Sequence, residues 1–200
     1  GSRARDVGMD EIALRYFQMV PTTQDIINDL EALKGQVGGQ AAEAYQAKIA
    51  EYEADAAKSD PSDLQTLRQI AACWEGLGNR RAGLVINRYL IEKHPTAEAM
   101  PQMLHEAARY SFSLGDAPGA QYYGEQFMER FPTHELRDNV ATFMLQSLFR
   151  KREYETCLEV AGNVRLNYQP GEQPRELADY IYGASLYFLN RPYETIEAFD

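Results

Sequence analysis

Apolar residues recur every three or four positions along most of the chain, in helix-length segments separated by short polar breaks. In the first clear segment these positions are Leu64, Leu67, Ile70, Ala71 and Trp74. Side chains at this spacing share one face of an α-helix, so the pattern predicts an amphipathic helix. Asp60 is the candidate N-cap residue, and Pro61 occupies the first helical position, where its missing N–H costs nothing.

Glycine and proline divide the chain at a regular interval. The segments LGNRRAGLVINRYLIEKHP and LGDAPGAQYYGEQFMERFP start 37 residues apart, at Leu77 and Leu114. A third copy, FRKREYETCLEVAGNVRLNYQP, has Arg152 in place of glycine and Pro170 one residue late. A fourth, FLNRPYETIEAFD, is aligned on Arg191, two positions later than the same interval from Arg152 would place it. Each copy follows another amphipathic segment, which predicts a unit of helix, short turn, helix and proline-marked break.

A two-helix unit of this length cannot bury its own apolar face and must stack on its neighbours. The pattern therefore predicts an all-α protein in which helical pairs form an α-α superhelix, or solenoid. The predicted units span 60–96, 97–133, 134–171 and an incomplete 172–200.

Residues 3–59 lack the repeat, and their pattern predicts an N-terminal helical hairpin. Two stripes at 4-3-4 spacing flank a glycine-rich turn, and Thr22 with Asp25 can form a capping box at its start. The stripes are Ile26, Leu30, Leu33 and Val37, then Tyr45, Ile49, Tyr52 and Ala56. The hairpin either caps the first repeat or acts as an arm that binds a partner or a second copy. Gly1 and Ser2 are interpreted as the remnant of a cleaved expression tag.

The repeating segments resemble the tetratricopeptide repeat family over roughly residues 61–200. The resemblance rests on the Gly-Asp turn, on a small residue in the second helix and on the proline after that helix. The small residues are Gly83, Ala120 and Cys157, and the prolines are Pro95 and Pro132. Trp74 to Gly78 also matches the W-x-x-L-G fragment of the family. That alignment would put Pro95 inside a helix, at a cost of about 3 kcal/mol. The 37-residue register instead makes Gly78 a helix stop.

The longer repeat with its His-Pro and Phe-Pro endings is similar to bacterial envelope members of the family. These include the outer-membrane assembly lipoproteins and the periplasmic cell-division coordinators. This resemblance implies a periplasmic or envelope location, with the cytoplasm still open.

The resemblance also implies a concave groove, lined by the first helix of each repeat, that binds a peptide or protein segment. The implied groove residues are Gln65, Arg68, Gln102, His105, Arg109, Phe112, Asn139, Thr142, Gln146, Phe149, Arg150, Ile181, Ser185 and Phe188. Arg68, Arg109 and Arg150 would form a basic row, or would pair locally with Glu75, Glu106 and similar carboxylates. The lysine–asparagine clamp of the chaperone-tail subgroup is missing.

Composition narrows the function further. The net charge of −10, from 30 acidic and 20 basic residues, disfavours nucleic acid and anionic membranes as partners. No apolar run is long enough to span a bilayer. The three histidines and two cysteines show no metal-ligand spacing, and no catalytic motif is present. We therefore expect a non-enzymatic interaction scaffold without cofactor or metal. The alternative is an accessory domain of a larger enzyme whose catalytic part lies beyond residue 200.

The last segment carries an apolar stripe at Ile196 and Phe199 that nothing after it covers. We expect the native chain to continue past Asp200, or this edge to be buried against another molecule. Self-association through this edge or through the N-terminal hairpin is the corresponding expectation.

Overall fold

A computed structural model of the chain describes Arg15, Met19 and residues 21–199. The described residues form α-helices and no strand, so the predicted all-α class is confirmed. The helices are α1 (Thr23–Lys34), α2 (Gln40–Ala56), α3 (Ser62–Gly76), α4 (Arg80–Lys93), α5 (Met100–Leu114), α6 (Ala117–Arg130), α7 (Arg137–Lys151), α8 (Tyr154–Asn167), α9 (Gln173–Phe188) and α10 (Pro192–Phe199). The tag remnant and the first part of the predicted hairpin lie outside the described residues.

The chain divides into two compact units, Gly1–Met100 and Pro101–Asp200. In the first unit, α1 packs on α2, α2 on α3 and α3 on α4. Short connections between packed neighbours make each pair antiparallel. The core of this unit includes the buried side chains of Ile27, Ile49, Leu64, Cys73 and Leu90.

The first and third helices of this unit are held at their starts by specific side chains. The predicted capping box at Thr22 and Asp25 is present. Asp63, at the start of α3, accepts hydrogen bonds from both the backbone N–H and the hydroxyl of Thr23. The prediction for α3 itself was wrong by one position, because Pro61 is the N-cap residue. Asp60 instead accepts a hydrogen bond from the N–H of Ala99.

The second unit contains α6 to α10 and nearly all of α5. From α6 to α10, each helix packs on the next one along the chain. In addition, α7 packs on α9. This packing of consecutive pairs is that of an α-α superhelix. The buried cluster between α7, α8 and α9 includes Leu145, Leu148, Val160, Tyr168 and Ile181.

Four helix–helix turns share one backbone geometry. Each contains a residue with positive φ, namely Gly78, Gly115, Arg152 and Asn190. In the second turn the N–H of Gly115 donates to the carbonyl of Phe112 at 3.1 Å, and the N–H of Asp116 donates to that of Ser111 at 2.9 Å. The other three turns repeat this pair of bonds, which satisfies the last free carbonyls of the preceding helix.

The turn geometry corrects the predicted spacing of the last copy. Asn190, not Arg191, is the equivalent of Gly78, so the last interval exceeds the first two by one position rather than by two. The prediction that Gly78 stops a helix and that Pro95 follows one is confirmed, because α3 ends at Gly76 and α4 at Lys93.

Candidate functional site

The residues implied by the family resemblance do not all reach the surface. In the first unit, Gln65 is exposed and Arg68 is partly buried, both on α3. In the second unit most of the predicted residues are exposed or partly buried: Gln102, His105, Arg109, Phe112, Asn139, Thr142, Gln146, Phe149, Arg150 and Phe188. Ile181 and Ser185 are buried, with 2% and 0% of their surface exposed, and cannot contact a ligand.

The alignment of the last copy on Arg191, one position too late, explains why Ile181 and Ser185 were predicted as groove residues although they are buried. Because the last interval between equivalent turns is longer by one position, the residue of α9 equivalent to Thr142 is Tyr180. A shift of one residue rotates a side chain by about 100° around a helix axis. The exposed side of α9 therefore presents Tyr180, Tyr187 and Phe188, which are 58%, 69% and 54% exposed.

An aromatic contact joins α5 to α7 in the second unit. The rings of Phe112 and Phe143 stack with centroids 5.4 Å apart, and the His105 ring lies 5.6 Å from that of Phe143. The guanidinium of Arg150 lies 4.4 Å from the centroid of Phe112. This is within the range of a cation–π interaction, which fixes the position of the charge without neutralising it.

A second group of aromatic rings joins α7, α8 and α9 around Phe149. Its ring lies 6.0 Å from Tyr154, 6.2 Å from Tyr180 and 6.3 Å from Phe188. Tyr154 and Phe188 stack almost parallel at 4.8 Å, and Tyr187 contacts Phe188 edge-on at 5.6 Å. Together with the first contact these rings define the aromatic surface of the second unit: Phe112, Phe143, Phe149, Tyr154, Tyr180, Tyr187 and Phe188.

Sequence reasoning missed four members of the aromatic surface, namely Phe143, Tyr154, Tyr180 and Tyr187. The turn register contains a signal for one of them. Phe112, Phe149 and Tyr187 each lie three residues before a residue with positive φ. An equivalent aromatic at this position in three consecutive turns could have been found once Asn190 was aligned with Gly115.

The three arginines of the predicted basic row occupy different levels of their helices. Arg68 lies 10 residues before Gly78, Arg109 lies 6 before Gly115, and Arg150 lies 2 before Arg152. Each step of four residues is about one helical turn, so the three do not share a level. Arg68 and Arg109 both engage partners of their own.

Exposed cations cluster instead at the end of α7. Arg150, Lys151 and Arg152 are consecutive and exposed, and no carboxylate pairs with them among residues 21–199. Positive charge is favourable at a helix C-terminus. In a chain with a net charge of −10 this is nevertheless a local positive patch beside Phe112 and Phe149.

Partly buried polar groups lie on α5 at the edge of the aromatic surface. The Oε1 atom of Gln102 and the Nε2 atom of His105 are shielded from water and lack a hydrogen-bond partner. Burial lowers the pKa of His105 below its usual value, and the nearby Arg109 and His134 lower it further. The neutral imidazole is therefore the favoured form at pH 7.

The described part of the chain holds no group of three or more metal-ligating side chains. Cys73 and Cys157 are buried free thiols. Among the described helices, none has the length and apolar character needed to cross a bilayer. Comparisons with protein-family models, with curated proteins and with solved structures found no match.

Proposed function

We propose that this protein is a non-catalytic interaction scaffold that binds a peptide or protein segment on the aromatic surface of its second unit. The observation that carries the proposal is the exposure of Tyr180, Tyr187 and Phe188 in the group of rings around Phe149, which the exposed cations Arg150 and Lys151 directly follow in the chain. Large exposed aromatic patches mark interaction sites, and aromatic residues with arginine dominate binding energy at protein interfaces.

The charge around the aromatic surface specifies the chemistry of the partner. The guanidinium of Arg150 lies over the ring of Phe112, and no carboxylate of the described residues pairs with it. An unpaired guanidinium of this kind favours a carboxylate, because its planar fork matches the two carboxylate oxygens. We propose that the bound segment combines aromatic or aliphatic side chains with acidic residues.

The resemblance to tetratricopeptide repeats supports the same assignment. In that family the first helix of each repeat lines the binding groove, and α5, α7 and α9 are the first helices of the predicted repeats. On the same resemblance we propose that the protein acts within a bacterial envelope complex.

The test is a peptide selected by display on the intact chain and measured by fluorescence polarisation. Replacing Tyr187 and Phe188 together by alanine should weaken binding at least about tenfold, as expected for the loss of two interface anchors. The matched control is Tyr122→Ala on α6, since Tyr122 is 60% exposed and lies outside the aromatic surface. Circular dichroism must show unchanged helix content in every variant.

The acidic part of the proposed segment has a separate test. Arg150→Met keeps an apolar side chain over Phe112 but removes the charge, so binding should weaken and lose part of its salt dependence. The proposal is wrong if Tyr122→Ala reduces binding as much as the double replacement does. Selected peptides without acidic residues would contradict the charge assignment while leaving the aromatic one intact.

A further inference from the structure

A cavity of about 550 Å³ lies within the first unit, away from every residue of the proposed binding surface. It is formed by the segment before and at the start of α1, the end of α2, α3 and the end of α4. Its apolar wall consists of Pro21, Ala56, Pro61, Leu67, Ile70 and the ring of Tyr89. The volume falls in the range of small-molecule sites, which are mostly apolar with a few placed polar groups.

Four polar side chains in this cavity already have partners within the chain, namely Thr22 with Asp25, Gln24 with Asn28, Asp63 with Thr23 and Thr66 with Ser62. The carboxylate of Asp63 accepts from the N–H of Thr23 at 3.1 Å and from its hydroxyl at 2.8 Å. The hydroxyl of Thr66 donates to the carbonyl of Ser62 at 3.0 Å. The only carboxylate among the described residues that line the cavity is therefore engaged in holding α1 to α3.

The polar groups that remain available at the end of α4 are donors. Tyr89, Lys93 and His94 line the cavity there, and no hydrogen bond or ion pair engages their side chains in the described part of the chain. The Lys93 ammonium carries a positive charge, and the Tyr89 hydroxyl and a ring N–H of His94 can each donate. The three residues lie within a stretch of six at the end of α4, and all three line the same cavity.

We propose that this cavity binds a carboxylate attached to an apolar group, with the carboxylate held by Lys93, Tyr89 and His94. The apolar part then packs against Leu67 and Ile70, where it removes its surface from water. A neutral apolar ligand would leave the donors unused, and a fully polar anion would leave the wall uncovered. Two sources share this chemistry, namely a free aliphatic acid and the C-terminus of a polypeptide that ends in an apolar residue.

The test titrates the intact protein with octanoate and with octan-1-ol, which has the same chain without the charge. Amide chemical shifts of Ile70, Tyr89 and Lys93 should move with octanoate and respond more weakly to the alcohol. Lys93→Met keeps the length of the side chain and removes its charge, so octanoate affinity should fall by about fivefold, the effect of one partly exposed ion pair. Lys48→Met, at an exposed lysine of the same unit that does not line the cavity, is the matched control and should leave octanoate affinity unchanged.

A second arm separates the two sources. An acetylated tetrapeptide ending in Ala-Leu is compared with the same peptide carrying a C-terminal amide. Binding of the acid form in preference to the amide assigns the site to polypeptide ends, and binding of octanoate alone assigns it to free acids. Equal affinity for octanoate and octan-1-ol, or no binding of any carboxylate at millimolar concentration, would overturn the proposal.

Discussion

Gly183 on α9 lies directly against the ring of Phe199 on α10. A Cβ atom on Gly183 would come within 2.4 Å of the Phe199 Cζ atom, a separation that real side chains do not reach. The helix α10 contains no buried residue, and Tyr193, Ile196 and Phe199 are all more than half exposed. The ring of Phe199 therefore occupies space on α9 that is open only because residue 183 is a glycine.

Replacing Gly183 by alanine should weaken the packing of α10 on α9 without unfolding the second unit. The added methyl group displaces the Phe199 ring, while alanine favours the α9 helix by about 1 kcal/mol relative to glycine. Hydrogen exchange should show faster exchange of the α10 amides and unchanged exchange around Leu145. The matched control is Gly162→Ala, where the nearest atom would be 4.0 Å away. If both variants leave α10 equally protected, the Phe199 contact does not hold the helix.

Replacing Arg152 by glycine should stabilise the second unit. Arg152 has a φ of 61°, a left-handed conformation that costs a residue with a Cβ about 1–2 kcal/mol. Glycine occupies the equivalent position at Gly115, and its larger backbone entropy in the unfolded chain offsets part of the gain. Chemical denaturation should show an unfolding free energy higher by about 1 kcal/mol. Arg152→Ala is the control and should show no gain, because it keeps the strain and removes only the exposed side chain.

Acidification should destabilise the protein through His105. The pKa of His105 in the folded state is lowered from 6.5 by burial and by the charges of Arg109 and His134. Its neutral form therefore supports the fold fully above pH 6.5. As the pH falls below 6.5 the unfolded state takes up the proton first, and stability declines until the lowered folded pKa is passed.

Thermal melts of the wild type and of His105→Gln, recorded from about pH 8 to about pH 5.5, measure this contribution. The variant should lose less stability over that range than the wild type, since it has no titrating group at this position. Identical pH profiles would show that His105 titrates alike in the folded and unfolded states.

The thiol of Cys157 should be unreactive in the folded protein. Burial raises the pKa of Cys157 to about 11, so almost no thiolate is present at pH 8. Cys73 is likewise buried. A disulfide reagent such as Ellman's should label neither cysteine until denaturant is added. Ser113→Cys introduces a cysteine at an exposed position and provides the positive control. Rapid labelling of the native wild type would contradict the burial of both thiols.

Local sequence signals were sufficient to predict the helices. The three-to-four spacing of apolar residues reports which face of each helix is buried, and glycine or proline interrupts that spacing where the backbone must turn. The turns at Gly78 and Gly115 were predicted correctly, because glycine adopts positive φ without a steric cost and therefore marks such turns in the sequence. Arg152 and Asn190 adopt the same conformation. At Arg152 the turn between α7 and α8 requires it of a residue that does not itself favour it.

On α9, the first helix of the last predicted repeat, tertiary structure decided which side chains are exposed. The alignment of the last copy on Arg191 predicted Ile181 and Ser185 as groove residues, but the turn lies at Asn190, and a shift of one residue moves a side chain by about 100° around the helix axis. The core then buries these two side chains and leaves Tyr180, Tyr187 and Phe188 exposed.

By itself the sequence determined the all-α class, the helical pairs and most positions of their turns, because these depend on short-range periodicity and backbone preference. Only the packing of α5, α7, α8 and α9 decided which aromatic rings meet, because ring contacts join residues that are far apart in the chain.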